Sequence, residues 1–291
     1  MKILKIRLSI TLSLILILFF PTLPTHGQDV EAGMSVTIPI PSKGLVLFEA
    51  KTNNKVIGTY VLDNGNISGT IISRDFANQL ELNPKEKTFS LTLDLNGKSV
   101  TLKAKIGDAP NNWMSNTLKR KYQCLVGYDF FENYLITIDY PASKLTISSY
   151  LSNIDDIKKN HKKATELKFD YLEHAALVKC KVWKDKETGF DTSFFIDCGM
   201  TGNSIDKAHY QKLQTPLKSK VLTTVPILDV AGSTFKDVPF HIIDVPTVQE
   251  VAKGAKKDVA GLLGRPFLEK YRVTLDYKGY RIFLDDSTSH K

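Results

Sequence analysis

The chain carries one β-rich pattern twice, in the same order, along its 291 residues. Residues 35–40 and 45–50 are short β-rich runs. Residues 51–55, with Asn53 and Asn54, form a turn, and 56–62 is an apolar strand ending in Asp63-Asn64-Gly65. In the second half 176–183 is a strand, 184–189 a polar turn, and 190–196 a strand ending in Asp197-Cys198-Gly199. The two aspartates are 134 residues apart. A second block closes each half. Leu125-Val126-Gly127-Tyr128-Asp129-Phe130-Phe131 leads into a strand through Asp139 and Tyr140, and Leu262-Leu263-Gly264-Arg265-Pro266-Phe267-Leu268 into one through Asp276 and Tyr277. Those blocks are 137 residues apart. Two nearly equal offsets in unchanged order indicate two copies of one structural unit.

Long hairpins lie between the blocks. Residues 89–95 and 99–106 alternate apolar and polar around Asn96-Gly97, a dipeptide suited to a turn with positive φ. Residues 221–230 and 234–243 flank Ala231-Gly232-Ser233 in the same way. Short helices are expected at 73–80 and 206–213. Spacing for βαβ units is missing, so the fold class is all-β, built of antiparallel sheets. The charged stretch 149–164 is poor in apolar residues and predicts a linker, with boundaries at 28–150 for the first lobe, 151–163 for the linker and 164–291 for the second lobe. Apolar residues at 42% and charged residues at 24% exclude a disordered or fibrous chain.

Residues 1–27 have the three parts of a signal peptide. Lys2, Lys5 and Arg7 are basic, the apolar run 8–20 is too short to span a bilayer comfortably, and small residues follow up to Gly27. An exported protein, periplasmic or extracellular, is expected, with no stable membrane insertion. The formal charge of +8 loses three positive charges with that leader, and the lysine clusters at 158–163 and 253–257 predict solvated surface rather than a nucleic-acid footprint. Cys124 and Cys180 suit buried apolar positions. The six histidines, His26, His161, His174, His209, His241 and His290, have no zinc-motif spacing, so neither metal nor cofactor is expected. Trp113 and Met114 follow a Pro-Asn-Asn stretch that predicts a surface loop, a candidate place for peptide contact.

An aspartate just past an apolar strand is held at a fixed place, and a glycine two residues on lets backbone come close to the carboxylate. One such motif means little. Two, each repeated with the same downstream block, can bring two carboxyls face to face across a pseudo-two-fold axis. Carboxyls that close share a proton. The ionised one can act as base on a water while the protonated one hydrogen-bonds a substrate carbonyl.

The stretches Phe194-Phe195-Ile196-Asp197-Cys198-Gly199-Met200-Thr201-Gly202 and Tyr60-Val61-Leu62-Asp63-Asn64-Gly65-Asn66, with the two aliphatic-Gly blocks, resemble the signatures of retropepsin-like aspartic peptidases in a tandem, single-chain bacterial form. The first-half loop looks one residue longer. The resemblance covers roughly residues 34–286. It implies two pepsin/retropepsin-like β lobes, a cleft between them, and an Asp63/Asp197 dyad with Gly65 and Gly199 as backbone support. It also implies hairpin flaps at Asn96-Gly97 and Ala231-Gly232, a peptide or protein substrate, and a monomer that completes its own site. Asn64 and Cys198 stand where the family has a Thr or Ser that hydrogen-bonds across the lobe junction. Asn66 and Met200 stand where small residues sit beside the acids, and Thr201 follows. Against an aspartic endopeptidase stand two alternatives: an inactive homologue that binds extended peptides in the cleft, and a structural envelope protein.

Overall fold

The computed structural model describes residues 33–107, 121–150, 159, 164–213 and 222–286. The leader, nearly all of the 151–163 linker, Trp113 and Met114 lie outside the described residues. In the first half the elements are β1 (Ser35–Pro39), β2 (Leu47–Thr52), β3 (Val56–Leu62), β4 (Ile71–Ile72), α1 (Arg74–Gln79), β5 (Phe89–Leu95), β6 (Lys98–Ile106), β7 (Cys124–Val126), α2 (Tyr128–Asn133), β8 (Tyr134–Asp139) and β9 (Lys144–Ser149). The second half supplies β10 (Thr165–Lys168), β11 (Asp170–Leu172), β12 (Ala175–Trp183), β13 (Gly189–Ile196), β14 (Ser204–Ile205), α3 (Lys207–Lys212), β15 (Leu222–Val230) and β16 (Ser233–Ile242). It ends with α4 (Pro246–Ala255), β17 (Val259–Leu263), α5 (Arg265–Leu268), β18 (Tyr271–Asp276) and β19 (Arg281–Asp286).

Each half closes a six-stranded barrel. The first runs β2-β3-β7-β4-β6-β5; the second runs β12-β13-β17-β14-β16-β15, shut by the β12–β15 pairing, with β11 added outside β12. Strand for strand the order is the same. The pattern is mostly β, as the alternating hairpins predict. β3 and β13 each end in a run of buried residues because the following loop dives between strands: β3 pairs parallel with β7, and β13 parallel with β17.

A six-stranded sheet ordered β1-β9-β8-β18-β19-β10 joins the halves. Its middle pair is β8 against β18, where Thr137 faces Thr274 and their hydroxyls lie 2.9 Å apart. These are the same position of the two repeats, 137 residues apart. Apolar side chains such as Ile136, Ile138, Val273 and Leu275 fill the sheet's buried face and join one continuous core with both barrels.

Both predicted short helices form, and their caps explain them. The Ser73 hydroxyl accepts the Phe76 N–H, and the Asp206 carboxylate accepts the His209 N–H. Helix α4 has no counterpart among the expected elements. It starts at Pro246 after Val245, which offers no side-chain cap, and lays Val248 and Ala252 onto Ala175, Leu177, Phe195 and Leu262 of the second barrel. The lysines of 253–257 are exposed, as solvated surface requires.

Candidate active site

Asp63 and Asp197 emerge from equivalent strands and are held by equivalent bonds. The Asp63 N–H donates to Val126 O (2.9 Å) and the Asp197 N–H to Leu263 O (3.0 Å). Each loop then turns back. The Gly65 N–H donates to Asp63 Oδ1 (3.0 Å), and the Gly199 N–H to Asp197 Oδ1 (2.8 Å). The loops rejoin their barrels at Thr70, whose hydroxyl accepts the Gly127 N–H, and at Asn203, whose side-chain oxygen accepts the Gly264 N–H. From acid to rejoining residue the first loop is one residue longer, which accounts for the looser first-half motif.

The structure brings the two acids together. Their carboxyls hydrogen-bond one another, both largely buried at the floor of an open cavity. A Cβ on Gly65 would lie 2.3 Å from Asp197 Oδ2, and one on Gly199 would lie 2.3 Å from Asp63 Cγ. Each glycine therefore leaves the space that the other half's acid fills, and no larger residue fits without displacing a carboxyl. Burial and the charge of Asp197 push Asp63 well above the usual carboxylate range. Burial also raises Asp197, but backbone N–H groups of Gly199, Gly65 and Met200 and the hydrogen bond with Asp63 act against it. Both acids are thus raised by burial, and the pair holds one proton between its two carboxyls.

The two hydroxyl replacements retain cross-junction bonds. The Asn64 amide donates to Ile196 O (2.7 Å), and its oxygen accepts the Cys198 N–H (2.7 Å). In return the Cys198 thiol points at Leu62 O, 3.6 Å away. The residues on either side of Asp197 are therefore gripped by Asn64, more tightly than Cys198 grips the backbone before Asp63. Cys124, Cys180 and Cys198 are all buried free thiols, and burial pushes the Cys198 thiol up. Asn66 is turned onto its own loop, its amide donating to Gly69 O (2.7 Å). Met200 lines the space beside the acids, and Thr201 is exposed.

That space is a cavity of about 180 Å³ with Asp63, Asp197, Gly65 and Gly199 at its base. Its walls are Ile67, Ala175, Phe195, Met200 and Leu262, and one side is α4 with the residue before it: Val245, Thr247, Val248 and Val251. None of the four predicted flap residues lines it. The amide of Asn96 lies 3.5 Å from Thr37 O on β1, beside a separate pocket with Ile38, Ile40 and Phe48. The Ala231-Gly232 turn sits where Ala231 N–H meets Lys179 O of β12. Both hairpins are spent closing barrels, through Lys51↔Asp94 and Thr52↔Leu93 on one side and Cys180↔Val230 to Trp183↔Ile227 on the other. The wall beside the acids comes instead from α4 and the residue before it. The signal for α4 is present in the spacing of Val248, Val251 and Ala252 behind Pro246.

Brackets tie the halves together on each flank of the acids. Arg265, buried at the start of α5, donates to Gly44 O and Ser42 O of the first half. On the other flank Tyr128, at the equivalent position of α2, stacks on His174 of the second half at 3.8 Å, and the Tyr171 hydroxyl donates to Glu132. Among the described residues no group of His, Cys, Asp and Glu is arranged to hold a metal ion, and no helix is long and apolar enough to cross a membrane.

No protein-family model matches the chain, and no characterised protein matches it by sequence. By structure it is similar to the aspartic proteinase from Irpex lacteus, at 10% identity and a TM-score of 0.53, over 88% of this chain and 99% of that one. A retropepsin-like aspartic protease from Rickettsia conorii aligns at 17% identity and a TM-score of 0.30, over 40% of this chain and 90% of that one. The fold therefore resembles that of the Irpex lacteus aspartic proteinase.

Proposed function

We propose that this chain is an aspartic endopeptidase of the tandem, single-chain, retropepsin-like form, in which Asp63 and Asp197 activate a water against a peptide bond. The observation that carries the reading is the reciprocal fit of the acids: each half's carboxyl fills the space left by the other half's glycine, beneath an open cavity. A structural turn would not need both glycines bare. Asp197, richer in N–H donors, takes a proton from water as the water oxygen bonds to the carbonyl carbon. Asp63 gives its proton to the carbonyl oxygen. In the collapse of that adduct Asp197 passes its proton to the amide nitrogen as the C–N bond breaks, and the re-forming carbonyl returns the other to Asp63.

The substrate is an extended polypeptide with an apolar side chain beside the scissile bond, since the cavity wall next to the acids is aliphatic and aromatic. Both acids lie on one chain, so a monomer suffices, its lobes at 28–150 and 164–291 related by a pseudo-two-fold axis. The leader 1–27 directs export to the periplasm or beyond. Hydrolysis of an unfolded protein substrate by the purified mature chain, inhibited by pepstatin and lost in both Asp63→Asn and Asp197→Asn, is the expected result. Binding of peptide without cleavage by the wild type would favour the inactive homologue. Neither binding nor cleavage would leave the envelope-protein reading.

A further inference from the structure

A hydroxyl at position 64 would have one hydrogen to place across the junction; an amide has two. Asn64 is fully buried, so both must find acceptors. One goes to Ile196 O at 2.7 Å, and the other goes to the hydroxyl oxygen of Tyr277 at 2.9 Å. The amide oxygen is taken by the Cys198 N–H. Every polar atom of Asn64 is thereby used, and the second hydrogen has its acceptor only because a tyrosine reaches in from the turn after β18.

The mirror position shows what happens without the amide. Tyr140, 137 residues before Tyr277, ends the equivalent strand and is buried. By the repeat, Tyr140 stands to the Cys198 half of the junction as Tyr277 stands to the Asn64 half. Cys198 has a single hydrogen, directed at Leu62 O. The Tyr140 hydroxyl has no hydrogen-bond partner among the described residues, and the Arg265 guanidinium lies over its ring at 5.2 Å.

We propose that Tyr277 is a positioning residue for the acid pair, acting through Asn64, and that Tyr140 is its unused counterpart, a seat that an asparagine at position 198 would fill. By accepting the second hydrogen, Tyr277 fixes which end of the Asn64 amide faces Ile196 and which faces Cys198. That sets the backbone on both sides of Asp197. The inference rests on the peptidase reading for its catalytic consequence, and its structural core is testable without turnover.

The test is a double-variant cycle of Tyr277→Phe in the wild-type and Asn64→Thr backgrounds, with Tyr140→Phe as the symmetric control. A threonine at 64 has no second hydrogen, so loss of the tyrosine hydroxyl should then cost nothing. Expected in the wild-type background is a fall in kcat of about ten- to a hundredfold with KM within about twofold. The pH dependence of unfolding contributed by the acids should change as well. Tyr277→Phe should do neither in the Asn64→Thr background, and Tyr140→Phe should do neither anywhere. Cys198→Asn should raise the denaturation midpoint, and should stop doing so when combined with Tyr140→Phe. Equal effects of Tyr277→Phe in both backgrounds, equal effects of the two tyrosine changes, or an unfolding pH profile indifferent to Tyr277→Phe would each overturn the inference. If the wild type shows no aspartate-dependent cleavage, the peptidase reading fails, while the unfolding cycle still decides whether Tyr277 places the acids.

Discussion

Replacing Asp63 with asparagine should abolish hydrolysis and stabilise the protein at neutral pH. The folded state holds a proton on Asp63 well above the usual carboxylate range, because burial and the adjacent Asp197 charge oppose ionisation. The unfolded chain releases that proton near its ordinary value of about 3.9. Below that range both states are protonated, and the folded protein incurs no penalty. As pH rises toward and through the folded-state value the unfolded state binds fewer protons than the folded one, so stability is progressively lost. Each pKa unit of difference is worth about 1.4 kcal/mol.

The Asp63→Asn change keeps the geometry that matters. The Gly65 N–H, which lies 3.0 Å from Asp63 Oδ1 in the wild type, still finds a side-chain oxygen to donate to, and the new amide can donate to Asp197. The change removes the titration and leaves the packing. The expected gain is on the order of 1–2 kcal/mol at pH 7, shrinking to nothing near pH 3. Urea unfolding of wild type, Asp63→Asn and Asp197→Asn from pH 3 to 8 measures it. A variant equal to or weaker than wild type at pH 7, with the same slope of stability against pH, would refute the claim that these acids are held together at a cost.

Three further outcomes follow from the site and from one part-buried ion cluster outside it. Gly199→Ala would place a methyl 2.4 Å from Asp63 Oδ1, so activity should fall by more than about a hundredfold and stability by about 1–3 kcal/mol, read by turnover and thermal melting. Val251→Trp should fill the cavity beside the acids and suppress cleavage of peptides with bulky apolar residues while melting stays near wild type, and Val251→Ala should broaden the accepted side chains; an unchanged cleavage pattern on a peptide library would remove α4 from the substrate path. His209 is clasped by Asp206 (2.7 Å) and Asp258 (2.8 Å), which raise its pKa against its burial. Its contribution is therefore full below the ordinary histidine range and lost as pH climbs through the raised value, so His209→Gln should cost about 1 kcal/mol at pH 5 and much less at pH 9 in denaturant titrations.

The acids and both capped helices were legible in the sequence because each depends on residues close together in the chain, and the repeat because its two copies keep nearly the same offset. Asp63 with Gly65 and Asp197 with Gly199 are local turns, and Ser73 and Asp206 announce α1 and α3 by caps three residues from their partners. The hairpins at Asn96-Gly97 and Ala231-Gly232 were equally legible as hairpins, but where their tips point depends on barrel closure. In the first barrel only two residue pairs, Lys51↔Asp94 and Thr52↔Leu93, decide that β5 returns to β2, and neither pair stands out in a linear reading. Helix α4 is hard to read from the sequence because its start lacks a capping side chain and the lysines at its C-terminal end suit exposed surface of any conformation.

Asn64 is the instructive case. Taken alone, an amide where a hydroxyl is usual suggests a loosened junction, since it carries one hydrogen too many for a buried backbone acceptor. The extra hydrogen is accepted 213 residues later, by Tyr277, at a position that the duplication itself puts at the end of the equivalent strand. The replacement and its acceptor only make sense as a pair, so a motif comparison confined to the residues around each acid counts a loss where the folded chain has an exchange. Cys198 is the half of the junction where no such exchange occurred, and the idle hydroxyl of Tyr140, the repeat counterpart of Tyr277, marks which side of the acid pair is held less firmly.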